Sequence, residues 1–297
     1  MPHPDLDPIT RTADLATESD GAAPLDEAAL IALRRHPERV TASVDDAGFA
    51  LLVRPNDTAD GTATPQLAAA VVPDARRRGV GARLVADLLD RVDDTTPLQA
   101  WSHADHPAAA RLAERHGFAR VRELWLMRRP TAHPLPALDL PDDVRIRGYR
   151  PDDEQALLTV NAAAFAHHPE QGGMDAVDLA DRMAEPWFDP TGLLIAEDAG
   201  SGALLGFHWT KQHDAATGEV YVVGVSPQTQ GRGLGRRLTL AGLHHLAGRG
   251  ATEVILYVES DNGPAITVYR DRLGFTLAPS DVHVMYERGP SREGRVT

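Results

Sequence analysis

The stretch that decides the fold runs from Gly218 to Arg237: Gly-Glu-Val-Tyr-Val-Val-Gly-Val-Ser-Pro-Gln-Thr-Gln-Gly-Arg-Gly-Leu-Gly-Arg-Arg. Glu219 to Val225 reads as a strand, closed by a tight turn at Ser226-Pro227. Gly231, Gly233 and Gly235 alternate through the loop that follows, and a helix continues to about Leu246. Glycine is a poor choice for a helix start, so an ordinary strand-turn-helix junction does not account for three of them. The N–H groups of a first helical turn lack intrahelical partners, and the helix dipole favours negative charge there. A strand feeding a Gly-rich loop at a helix N-terminus therefore predicts an anion site.

Working outward, the same pattern occurs earlier. Val71-Val72-Pro73 followed by Arg76-x-x-Gly79-x-Gly81 matches Val225-Ser226-Pro227 followed by Gln230-x-x-Gly233-x-Gly235. Asp105-x-x-Ala108 leading to Gly117-Phe118 matches Asn262-x-x-Ala265 leading to Gly274-Phe275. The chain is an internal repeat with one order of elements. A stretch with Pro134, Pro136 and Pro141 and no periodicity separates the copies. The expected organisation is a first domain over 1–133, a Pro-rich linker over 134–143 and a second domain over 144–297. Each domain is α/β, a mixed sheet flanked by helices. The N-terminus is expected to be ragged or to form a short strand near Ile9, and Leu25 to Arg35 a helix. The length of 297 residues agrees with two domains.

The net charge of -13 disfavours nucleic acid and anionic membrane surfaces, both of which select basic proteins. With no cysteine, neither disulfides nor thiolate metal sites can form. No secretory signal or membrane span is visible, so a cytoplasmic location is expected. His167, His168, His208 and His213 show no ligand-pair spacing, and no metal is expected. Lys211 is the only lysine, all other basic side chains being arginine or histidine. Such a bias suits a GC-rich genome.

Arg/Gln-x-x-Gly-x-Gly at a strand-to-helix junction, then a strand, Asn-x-x-Ala-x-x-x-Tyr and Gly-Phe, resembles the GNAT superfamily of acetyl-CoA-dependent N-acetyltransferases. The resemblance covers most of both halves and implies two tandem GNAT-type domains. It implies that Val223, Gly224 and Val225 pair with the pantetheine amides, with Gly224 at a bulge that opens the sheet. It implies that Gln230, Gly231, Arg232, Gly233, Leu234, Gly235 and Arg236 cradle the pyrophosphate. Asn262, Gly263, Pro264, Ala265, Ile266 and Thr267 would line the far side of the thioester. Acetyl transfer needs a neutral amine and a proton for the departing thiolate; Glu219 is placed as the base and Tyr269 as the acid.

In the first half Pro65 stands at the position of Glu219, Leu112 at that of Tyr269 and Asp105 at that of Asn262. That half keeps the loop without the proton-transfer groups and is expected not to catalyse. Either it binds acetyl-CoA through Ala69, Ala70 and Val71 with Arg77, Arg78, Gly79, Val80, Gly81 and Ala82, or the loop survives as a fold element.

Four stretches of the second half carry a narrower resemblance. His168-Pro169-Glu170-Gln171-Gly172-Gly173, Gly206-Phe207-His208-Trp209-Thr210-Lys211, Gly218 to Val225 and Leu256-Tyr257-Val258-Glu259-Ser260-Asp261-Asn262 are similar to the mycothiol synthases of actinobacteria. These tandem acetyltransferases acetylate the cysteinyl amine of a cysteinyl glucosaminyl-inositol in the last step of mycothiol synthesis. The resemblance implies that Glu27, Glu170, Lys211, Glu219 and Tyr257 bind that substrate, with acetyl-CoA as co-substrate and a monomer as the working form. An acid in the first turn of a helix, such as Glu27, is stabilising without a ligand. Lys211 could also protect a sheet edge. An amine acceptor of another kind, an aminoglycoside or a protein N-terminus, is the rival expectation.

Overall fold

The computed structural model describes residues 6–56, 64–93, 95–166, 168 and 171–290. They fold as two units, one of residues up to Leu124 together with those from Pro279 onward, the other spanning Trp125–Ala278.

The first unit opens on helix α1 (Leu6–Asp20), not on a strand. Ile9, Thr12 and Ala16 recur at helical spacing and are its buried residues, and they pack with Leu25, Ala29 and Leu33. Helix α2 (Glu27–Arg35) begins after Asp26, whose carboxylate accepts the Ala29 N–H at 2.8 Å. Strands β1 (Val40–Asp45), β2 (Gly48–Val53) and β3 (Gln66–Val71) follow, then α3 (Val80–Leu89), β4 (Leu98–Ser102), α4 (Pro107–Arg115) and the start of β5 (Ala119–Pro130). β1, β2 and β3 form an antiparallel meander, and β3 runs parallel to β4.

The second unit takes the end of β5, then β6 (Val144–Gly148), α5 (Glu154–Ala164), α6 (Ala176–Met183), β7 (Leu193–Asp198), β8 (Leu204–Gln212), β9 (Thr217–Val225), α7 (Leu234–Gly248), β10 (Glu253–Glu259) and α8 (Gly263–Thr267). Its strand order is β5-β10-β9-β8-β7-β6. Only the β9–β10 pair among β6 to β10 is parallel, as a helical crossover through α7 requires.

The last strand, β11, runs over Thr276–Arg288. Val284 to Arg288 pair antiparallel with Ser102 to Leu98 of β4, so the end of the chain completes the first unit's sheet. A boundary drawn only along the sequence at 144–297 does not describe this: residues from Pro279 onward group with the first unit, and Trp125 to His133 with the second. Part of the expected linker is pinned inside the second unit. Arg129, only 2% exposed, donates to the carbonyls of Pro130, His133, Pro134 and Leu273.

Candidate active site

In both units the parallel strands part early. β9 and β10 pair from Thr217/Glu253 to Val220/Leu256 and no further, although both strands continue. β3 and β4 pair only at Gln66/Gln99 and Leu67/Ala100. The backbone of β9 from Tyr221 to Val225 therefore borders a gap on its β10 side.

The bulge that bends β9 is at Tyr221, not at Gly224. Trp209 faces Val222 and Thr210 faces Val220, which leaves Tyr221 as the extra residue. Gly224 has a different cause. A Cβ there would lie 2.5 Å from the ring of Phe207, which is fully buried opposite it on β8. The glycine makes room for an aromatic core.

Past the strand, Ser226 to Gln230 turns through Pro227–Thr229, and Gly231 and Gly233 adopt φ of 81° and 71°. Gly233 caps α7 with no side-chain acceptor, so the N–H groups of the first turn stay open to an anion. Arg232 is paired with Asp143 at 2.6 Å, while Arg236 makes no hydrogen bond among the described residues. Arg237 donates to the carbonyls of Arg232 and Asp139 and braces the loop. In the first unit Gly79 repeats the left-handed cap with φ 82°. Arg77, standing where the second unit has Gly231, holds φ 60°, a conformation costing an ordinary residue about 1 kcal/mol. The loop shape thus persists without its glycine. Arg76 donates to the Val71 carbonyl at 3.0 Å, at the strand end that corresponds to Val225. Ala69 and Ala70 precede it on β3, and Val80, Gly81 and Ala82 form the first turn of α3. Arg78 is exposed beside them.

Glu219 is 5% exposed and bonds His213 through Oε2–Nε2 at 2.6 Å. Register sets its company. Lys211 of β8 and Ile255 of β10 stand directly opposite Glu219 on either side. Strand alternation then puts Tyr257 and Glu259 on that face as well. Tyr257 is exposed. The Lys211 ammonium lies over Trp187, 4.8 Å from the ring centroid, and over Tyr221 at 5.2 Å. β8 is an interior strand between β7 and β9, so Lys211 does not guard a sheet edge. Trp187, Phe188, Trp209 and Tyr221 form one aromatic cluster beneath it. His168 places Nε2 3.7 Å from Glu259, at the end of β10.

Tyr269 approaches from the other face. It packs against the cluster of Leu240, Leu256, Val258 and Ile266, and its ring meets Phe275 edge-on at 6.0 Å. It sits in the π-helical turn Val268–Arg272, directly after α8. Such single turns redirect a side chain from its regular helical position. Burial pushes its hydroxyl up to about 12, so it stays protonated and can donate throughout the neutral range. Asn262 caps α8, its side chain accepting the Ala265 N–H at 3.2 Å. Gly263, Pro264 and Ala265 form the first turn, and Thr267 donates back to Gly263. Ile266 is buried in the core cluster.

Second-unit residues Lys211, Glu219 and Tyr257 are thus brought to one face. Glu27 lies in the first turn of α2 in the first unit, and Glu170 lies outside the described residues. Two groups that the sequence did not single out for this chemistry are His213, on the β8–β9 hairpin, and Trp187, in the segment between α6 and β7. His213 lies two residues beyond Lys211, which is the one hint the sequence carried. Among the described residues no cluster of three potential metal-ligating side chains occurs.

These features can be set beside known proteins. The model of the Acetyltransferase (GNAT) family matches residues 8–118 and 161–275, one stretch in each half. A mycothiol acetyltransferase of a Nocardioides species is 56% identical over 94% of this chain and 96% of its own length. One from Saccharopolyspora erythraea is 48% identical over 89% and 96%. Among solved structures, a GCN5-related N-acetyltransferase from Sphaerobacter thermophilus superposes with a TM-score of 0.69 at 24% identity, covering 96% of this chain and 94% of that one. A tandem GNAT protein from the clavulanic acid biosynthesis pathway does so with 0.69 at 23%, covering 95% and 94%. These two likenesses speak for the fold alone. The chain belongs to the mycothiol acetyltransferases, tandem members of the GNAT acetyltransferase family.

Proposed function

We infer that the second unit transfers the acetyl group of acetyl-CoA to the cysteinyl amine of a cysteinyl glucosaminyl-inositol, giving mycothiol and CoA. The observation that carries this is the buried Glu219 at the point where β9 and β10 part, with Lys211 and Tyr257 on its face. Acetyl-CoA enters the gap, with its pyrophosphate on the first turn of α7 and its pantetheine along Val223 to Val225. Glu219 takes a proton from the acceptor amine on one face of the sheet. Tyr269 donates to the departing sulfur from the other. An α-amine with an ordinary pKa near roughly 8 is partly neutral at pH 7, so a carboxylate suffices as base. Lys211, with Trp187 and Tyr221 beneath it, offers an ammonium donor to the hydroxyl-rich sugar. Glu27 and Glu170 belong to the same substrate on this reading.

The first unit, with Pro65 and Leu112 in place of base and acid, is a non-catalytic copy. Its retained loop supports a second acetyl-CoA site over Ala69–Val71 and Arg77–Ala82; calorimetric titration giving one site instead of two removes it. The enzyme on this reading is a cytoplasmic monomer that needs no metal. Incubating it with acetyl-CoA and the cysteinyl conjugate, with mass detection of the acetylated thiol, tests the whole. Equal acetylation of glucosaminyl-inositol lacking cysteine would overturn the acceptor assignment.

A further inference from the structure

The reaction releases one proton per turnover. The acceptor enters as an ammonium, the thioester C–S bond breaks and an amide C–N bond forms. The nitrogen gives up two protons, the sulfur takes one, and the other must reach water. Glu219 cannot hand it over directly, because its side chain is only 7% exposed. His213 can: its side chain is 35% exposed and its Nε2 lies 2.6 Å from Glu219 Oε2. Its Nδ1 makes no hydrogen bond among the described residues.

We propose that His213 is the proton exit of the site, accepting from Glu219 at Nε2 and releasing to solvent from Nδ1. The proposal rests on Glu219 as the base. His213 acts through Glu219 and is a positioning and relay residue. Its backbone is fixed for the task. The His213 N–H donates to Thr217 at 2.9 Å, and Asp214 ties the hairpin by accepting from Ala216 and Thr217 at 2.7 and 2.8 Å. The other charged groups around the pair leave the path open. Lys211 faces Glu219 from β8 with its ammonium over the aromatic rings, and Glu253 of β10 is paired with Arg128 at 3.0 Å.

The test uses the full chain with two variants, two acceptors and varied buffer. His213→Ala should lower kcat by roughly 100-fold, the lower end of the range of a lost proton-transfer group, with KM for acetyl-CoA unchanged. Added imidazole should restore much of the rate, while the parent enzyme ignores it. His213→Gln keeps a hydrogen-bond donor for Glu219 but cannot relay, and should be equally slow and equally rescued. A His213→Gln enzyme as fast as the parent at low buffer would overturn the relay. So would a slow His213→Ala enzyme that imidazole does not help. The series is run with the cysteinyl conjugate and with cysteinamide, since the proton must leave whatever the amine. A parent active only on cysteinamide refutes the acceptor assignment while His213 is still read. A parent inactive on both refutes both.

Discussion

His208 predicts how this enzyme loses stability in acid. The ring is fully buried between β8 and α7, with Nδ1 2.7 Å from the Leu238 carbonyl. That contact makes Nδ1 the protonated nitrogen, and Nε2 is buried with no partner. The space exists because residue 242 is glycine; a Cβ there would fall 1.9 Å from the ring. Protonating Nε2 would put an unpaired N–H and a charge into a closed site, and burial accordingly lowers the imidazole to about 4 from 6.5. The unfolded chain therefore binds a proton between those values that the folded chain refuses. Stability is fully present above about pH 6.5, falls with pH down to about 4, and changes no further below that on this account. From pH 7 to pH 5 the single group costs about 2 kcal/mol. The helix loosened is α7, whose first turn presents the Gly-rich loop. Urea unfolding at pH 7 and pH 5 measures it against His208→Gln, which cannot titrate. The parent should lose about 2 kcal/mol more than the variant over that interval. Equal losses, or a His208 proton resonance that titrates near its ordinary value, would refute the reasoning.

Three further outcomes follow from packing. Gly224→Ala should cost about 1–3 kcal/mol, because the new Cβ displaces the buried Phe207 ring, and should raise KM for acetyl-CoA as β9 shifts. Arg129→Met should cost about 3 kcal/mol or more by thermal or urea unfolding, since it removes four charge-assisted hydrogen bonds to carbonyls. It should also lower kcat, because Arg129 holds the carbonyl of Leu273, whose N–H donates to Val268 and closes the turn carrying Tyr269. Trp187→Ala should raise KM for the cysteinyl acceptor and leave KM for acetyl-CoA unchanged, because it removes the ring under the Lys211 ammonium.

The repeat and the loop were legible because glycine spacing reports backbone directly. Gly231 and Gly233 do take positive φ, and Gly79 repeats the second of them. Arg77 shows the limit: the same conformation sits on a residue whose identity gives no sign of it. Gly224 pointed to a bulge because a strand glycine marks either a bulge or a close neighbour, and the sequence does not say which. The neighbour, Phe207, lies seventeen residues away and opposite only through the register. The helix at Ile9 was hidden by three prolines in the first ten residues, and Ile9, Thr12 and Ala16 make sense only against the core they cover. Pairing of β11 with β4 joins residues at opposite ends of the chain, which no local pattern encodes. His213 escaped for a related reason. Histidine spacing reports only on ligands close in sequence, whereas its partner is the carboxylate across the hairpin.

The central claim is that Glu219 removes the amine proton. Its most direct test is Glu219→Gln, assayed for acetyl transfer to the cysteinyl conjugate together with acetyl-CoA affinity by calorimetry. The account predicts kcat lower by roughly 100-fold or more with acetyl-CoA affinity unchanged. A variant that turns over at the parent rate would contradict it.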